Sequence, residues 1–101
     1  MILVEIFLPL IDGENWGAGD GAFQEIRMEL VAKFGGLTMY SRAPARGYYR
    51  TDGKVDRDDI VVLEVMTDAI DREWWRGYRT SIERRLRQEE VLVRAREVEK
   101  L

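Results

Sequence analysis

The chain has 101 residues, 46% hydrophobic and 35% charged, with a formal net charge of -3 and neither histidine nor cysteine. That composition fits one globular domain over residues 1–101 with a modest core. It excludes disulfides, zinc sites built from Cys or His, haem ligation by His or Cys, and histidine-dependent triads. Carboxylate-held Mg²⁺, Ca²⁺ or Mn²⁺ stays open, but no cofactor is implied. The acidic balance argues against a general nucleic-acid binder.

The apolar run Ile2 to Leu8 alternates as a first strand and ends at Pro9. Glu5 interrupts it and no basic segment precedes it, so it reads as a strand rather than a signal peptide. No run approaches the length of a membrane span, and a soluble cytoplasmic protein is expected. Residues 9–19 read as a glycine-rich loop. Asp20 is a candidate N-cap for a helix near 20–35, in which Phe23, Ile26, Leu30 and Phe34 recur at helical spacing and Val31 widens the stripe. Gly35-Gly36 supplies its stop.

Leu37 to Arg42 reads as the second strand. Pro44, Gly47 and Asp52-Gly53 then mark a basic, tyrosine-containing excursion. Ile60 to Met66 is the third strand, apolar on both faces as a central strand should be. Asp68 or Asp71 can cap a second helix with Trp75, Tyr78, Ile82 and Leu86 on one stripe. On its other side Glu83 and Arg87 are spaced as an ion pair. Val91 to Ala95 is the fourth strand. The order βαββαβ predicts an α+β ferredoxin-like fold: a four-stranded antiparallel sheet in the order 4-1-3-2, with both helices on one face.

The period of two then assigns faces. Val4, Ile6, Leu8, Val61, Leu63 and Val65 meet the helices, joined by Val91, Val93 and Ala95. The other face shows Leu3, Glu5, Phe7, Ile60, Val62, Glu64 and Met66. Thr38, Tyr40, Arg42, Leu92, Arg94 and Arg96 extend it on either side. Such a face is too apolar to leave open, and a second copy packed face to face, a dimeric α/β barrel, is the expected cover. Across it the order is Arg94, Glu5, Glu64, then Tyr40 or Arg42. A carboxylate is costly to bury unless paired or wetted. The row is therefore either a set of compensating ion pairs or the lining of a small-molecule cavity. In a cavity, close carboxylates can split their pKa values into an acid and a base.

Other motifs weigh less. Gly17 to Ala22 loosely fits a phosphate-binding turn, but Asp20 would repel an anion and the chain is too short for a dinucleotide fold. Asn15 and Trp16 follow the first strand, and Asn and Trp also occur in active sites of cofactor-independent monooxygenases with dimeric α/β barrels. Trp74 is expected to pack beside the core stripe, with cover of a subunit edge or a cavity mouth as the alternative. Tyr40, Tyr48 and Tyr49 interleave with Arg42, Arg46 and Arg50 in a manner seen in single-strand RNA readers, yet without their signature motif.

Phe34-Gly35-Gly36-Leu37-Thr38, Arg42-Ala43-Pro44-Ala45-Arg46-Gly47 and Arg87-Gln88-Glu89-Glu90-Val91-Leu92 carry a resemblance. Over about residues 20–96 the chain resembles a group of small bacterial ferredoxin-like domains of dimeric α/β-barrel type. That resemblance implies the fold and no chemistry. The expectation is a homodimer that binds a small polar or anionic molecule between its sheets. The candidate residues are Glu5 and Glu64 for catalysis, and Tyr40, Arg42, Arg94, Trp16 and Asn15 for ligand contact. A cofactor-independent isomerase or oxygenase using a glutamate base, and a purely structural or regulatory interaction module, are the competing readings.

Overall fold

The computed structural model describes residues 1–9, 21–51 and 54–101, with only the backbone described for 41–51 and 54–59. Strand β1 is Ile2–Pro9, helix α1 Gly21–Phe34, β2 Thr38–Thr51, β3 Lys54–Thr67, α2 Arg72–Leu86 and β4 Leu92–Glu97. The strands make one antiparallel sheet in the order β2-β3-β1-β4. This is the expected ferredoxin-like order counted from the other edge.

The core forms where strand parity and helix periodicity meet. Val4, Ile6 and Leu8 of β1 and Val61, Leu63 and Val65 of β3 pack against Phe23, Ile26 and Leu30 of α1. Trp75, Ile82 and Leu86 of α2 close the same layer, so both helices cover one face. Two expected core positions lie outside it. Val31 is exposed on α1, and Ala95 is exposed because β4 is a short edge strand with β1 as its only neighbour. Among the described residues no helix is long and apolar enough to cross a membrane.

The strands β2 and β3 run well beyond the expected 37–42 and 60–66 and meet across residues 52–53, which lie outside the described residues. Pro44 and Gly47 sit within β2. An edge strand tolerates proline because it need not donate toward solvent, and the irregular pairing here absorbs the rest. Tyr40 faces Val62 and Ala45 faces Ile60, so residues 41–44 stand opposite Val61 alone. Pro9, expected to open the loop 9–19, is instead the last residue of β1, and residues 10–19 and the Asp20 cap lie outside the described residues.

Both helix ends are built locally. Gly35 takes φ +80° and its N–H donates to the Val31 carbonyl at 2.8 Å, the left-handed stop that glycine permits. Asp71, not Asp68, caps α2, its Oδ1 accepting from the Trp74 N–H at 3.1 Å. At the other end Arg87 turns left-handed (φ 55°, ψ 44°), and the Gln88 N–H returns to the Glu83 carbonyl at 2.9 Å. The Glu83 side chain accepts from the Val91 N–H at 2.8 Å, just before β4. The expected Glu83–Arg87 helix pair therefore does not form: one partner holds the next strand and the other has left the helix.

The helices also meet through polar and aromatic contacts. The Tyr78 hydroxyl donates to Glu29 Oε1 at 2.9 Å, and Arg85 reaches the same oxygen at 2.9 Å. Burial, reinforced by the hydrogen bond to Glu29 and its charge, pushes the Tyr78 phenol well above its ordinary pKa. Phe34 stacks on Trp75 at 5.4 Å, Trp74 stacks on Tyr78 at 4.7 Å, and Lys33 Nζ sits 4.4 Å over Trp74.

Candidate functional site

The sheet face turned away from the helices carries the charges that parity placed there. Glu5 lies opposite Arg94 on one side and Glu64 on the other. It is 8% exposed. Arg94 Nε donates to Glu5 Oε1 at 3.2 Å, and Arg96 Nε lies 3.9 Å from the same oxygen. The Arg94 guanidinium also rests 4.7 Å over the Phe7 ring. Both arginines are largely solvated. Their value lies less in net attraction than in sparing Glu5 the cost of an unpaired buried charge.

Glu64 differs from Glu5. It is half-buried, and among the described residues no cation pairs with it. Its neighbour on β2 is Thr38 rather than the expected Tyr40 or Arg42. The cause is the irregular stretch 41–44, which shifts the β2–β3 register between Ala45 and Tyr40. Tyr40 stands one pair further on, opposite Val62, and is 51% exposed. Arg42 falls in the irregular stretch with its side chain outside the described residues, as are those of Tyr48, Tyr49, Arg46 and Arg50. Asn15, Trp16 and the Gly17–Asp20 turn also lie outside the described residues.

A cleft of about 370 Å³ opens beside Glu64. It lies between Leu3, Glu64 and Met66 of the sheet and the Phe34–Thr38 connection. The backbone explains it. Strand β2 begins at Thr38, opposite Glu64, so the last residues of β3 have no β2 neighbour. The connection that borders this gap contains Gly35 and Gly36, and a Cβ on either would meet nothing within 4 Å. The two glycines end the helix and also leave the cleft unfilled. Sequence reasoning treated Phe34-Gly35-Gly36-Leu37-Thr38 as a turn and missed that it borders the site. The usable signal was a pair of side-chain-free residues one strand away from Glu64.

A smaller cleft, about 240 Å³, lies between Lys33, Phe34, Thr67, Asp71, Trp74 and Trp75. Trp74 is packed on three aromatic neighbours as expected, and it also lines a cavity mouth. Asp71 is engaged in capping α2 and Lys33 lies over Trp74. Among the described residues no three His, Cys, Asp or Glu side chains converge to hold a metal ion.

No protein-family model matches the chain, and no curated protein sequence does. Solved structures of the same fold do. The divalent cation tolerance protein CutA1 from Thermus thermophilus superposes with a TM-score of 0.64 at 16% identity, covering 99% of this chain and 86% of that one. A protein described as the periplasmic divalent cation tolerance protein CutA from Archaeoglobus fulgidus gives 0.64 at 14% identity, covering 99% and 86%. A phage SAM lyase in complex with S-methyl-5'-thioadenosine gives 0.55 at 16% identity, covering 95% and 80%. At these identities the likeness is one of fold: the chain is a small protein of ferredoxin-like architecture.

Proposed function

We propose that this chain is a ferredoxin-like binding protein that pairs with a second copy through its open sheet face and holds a small polar molecule beside Glu64. The observation that carries the proposal is the composition of that face. Met66, Tyr40 and Leu92 are about half exposed there, at 47%, 51% and 50%. Phe7 and Val62 are half-buried beside them. Soluble chains rarely leave a contiguous apolar patch of this kind uncovered, and a self-complementary face closes on a two-fold axis. Within the patch, Glu64 is a carboxylate without a cation among the described residues, beside an unfilled cleft. A similar fold holds a small organic ligand in the phage SAM lyase complex.

The ligand was expected to be polar or anionic, and the described lining of the cleft holds no cation. Arg94 and Arg96 are directed at Glu5. A polar ligand is the better fit. Catalysis with Glu64 as a base would use the same carboxylate, but needs further converging groups; among the described residues Thr38 alone accompanies it.

Light scattering at micromolar concentration is expected to give the mass of a dimer. The double variant Met66→Glu, Leu92→Glu is expected to run as a monomer with an unchanged circular dichroism spectrum. A wild-type protein that stays monomeric under these conditions rules out pairing through the sheet face.

A further inference from the structure

We infer that the cleft beside Glu64 takes a small organic cation, a protonated amine on an apolar body, with the ammonium at the Glu64 carboxylate. The inference rests on the small-molecule site proposed above and names its ligand class.

The charge arrangement points to a cation. Glu5 and Glu64 are direct cross-strand partners, and like charges so placed repel. Glu5 is compensated by Arg94 at 3.2 Å and Arg96 at 3.9 Å. Both arginines come from β4, on the far side of β1 from Glu64. Two strand spacings put that edge roughly 10 Å away, about one Debye length. Glu5 stands between and takes up their charge. Among the described residues, the uncompensated charge of the row is therefore the Glu64 carboxylate.

The walls point to an apolar body. Leu3, Met66, Phe34 and Leu37 line the cleft, and among the described residues Thr38 is its only other polar side chain. Among the described residues no lysine or arginine lines it, so an anion would meet Glu64 with no described cation to hold it. A metal ion is a poor fit, since a divalent cation needs several oxygen ligands and the described residues offer no cluster of three. A cleft of about 370 Å³ lies at the small end of ligand sites and suits a single ring with a short aminoalkyl arm.

Three probes share one body and differ in head charge: 2-phenylethylamine, 2-phenylethanol and phenylacetate. Each is titrated into the ¹⁵N-labelled protein at neutral pH. The amine is expected to move the amides of Gly35, Gly36, Thr38, Glu64 and Met66. Its affinity should exceed that of the alcohol by about tenfold, the scale of one charge-assisted hydrogen bond. Glu64→Gln should abolish that preference and leave the alcohol unaffected. Gly36→Val should weaken all three probes by filling the cleft. Gly36 has no left-handed φ and its added Cβ meets no atom, so this variant keeps the fold. Light scattering on the same samples separates ligand effects from changes in assembly.

An alcohol or phenylacetate that binds at these amides as tightly as the amine overturns the cation assignment and leaves a polar site. A preference that survives Glu64→Gln also overturns it. If none of the three moves these amides, the small-molecule site and its ligand class fall together, whereas the dimer stands or falls on its own measurement.

Discussion

Gly35 and Gly36 are adjacent and chemically identical, yet the fold asks different things of them. Gly35 holds φ +80°, where any Cβ is strained whatever the surrounding space. Gly36 carries no such constraint. Gly35→Ala should therefore cost about 1 kcal/mol, a fall in Tm of roughly 4–8 °C for a domain of this size. Gly36→Ala should stay within about 0.5 kcal/mol of wild type. Thermal unfolding of the two variants side by side checks both, and equal losses would contradict the assignment of the helix stop to Gly35. This stop was legible in the sequence because a Gly pair after an apolar helical stripe has one common use. Its counterpart at Arg87 was not. Arginine in the left-handed region gives no sequence signal, and the hydrogen bonds that hold it come from Glu83, Arg84 and Gln88 after the chain has turned. Glu5 was legible for the opposite reason. A period of two leaves a strand residue only two directions, and the apolar positions of β1 choose one.

Between elements, the contact of α1 with α2 is sensitive to alkali. Tyr78 bridges the two helices through Glu29, and its phenol is held protonated beyond its ordinary range. In the unfolded chain a tyrosine releases its proton near pH 10. Above that pH the unfolded state holds fewer protons than the folded one, so stability falls as pH rises. The contribution is complete below about pH 10 and is lost progressively above it. Urea unfolding between pH 8 and 11 should show this fall in the wild type and a shallower one in Tyr78→Phe; identical slopes would show that Tyr78 is not the group responsible. The elements themselves were mostly legible, with one consistent error. Pro44, Gly47 and Asp52-Gly53 read as an excursion because each breaks a central strand. In an edge strand with an irregular register Pro44 and Gly47 break nothing, and whether β2 lies at an edge is a property of the sheet. The same shift moved Thr38, not Tyr40, opposite Glu64. The row on β4, β1 and β3 followed from parity, whereas the neighbour on β2 depended on the register shift at residues 41–44.

Across the whole molecule, stability is graded along the sheet. Strand β1 has neighbours on both sides, and its pairing with β3 ends at Pro9 opposite Ile60. Among the described residues, 46–51 and 54–59 pair only with each other. A two-stranded ribbon is marginal by itself in water. Hydrogen exchange followed by mass spectrometry should find amides of 45–59 exchanging well before those of 3–8 and 61–66. Uniform protection over both regions would mean that the ribbon has a further partner, and a second copy of the chain would be the first to test. The other edge of the sheet is governed differently. Glu83 receives Gln88 on its carbonyl and Val91 on its carboxylate, so one residue of α2 fixes both the end of its helix and the start of β4. The helix terminus thus acts as the register mark for a strand that has only β1 to align it. Fraying by a single turn would release β4 from that mark, so α2 and β4 open as one cooperative unit, although they belong to different layers.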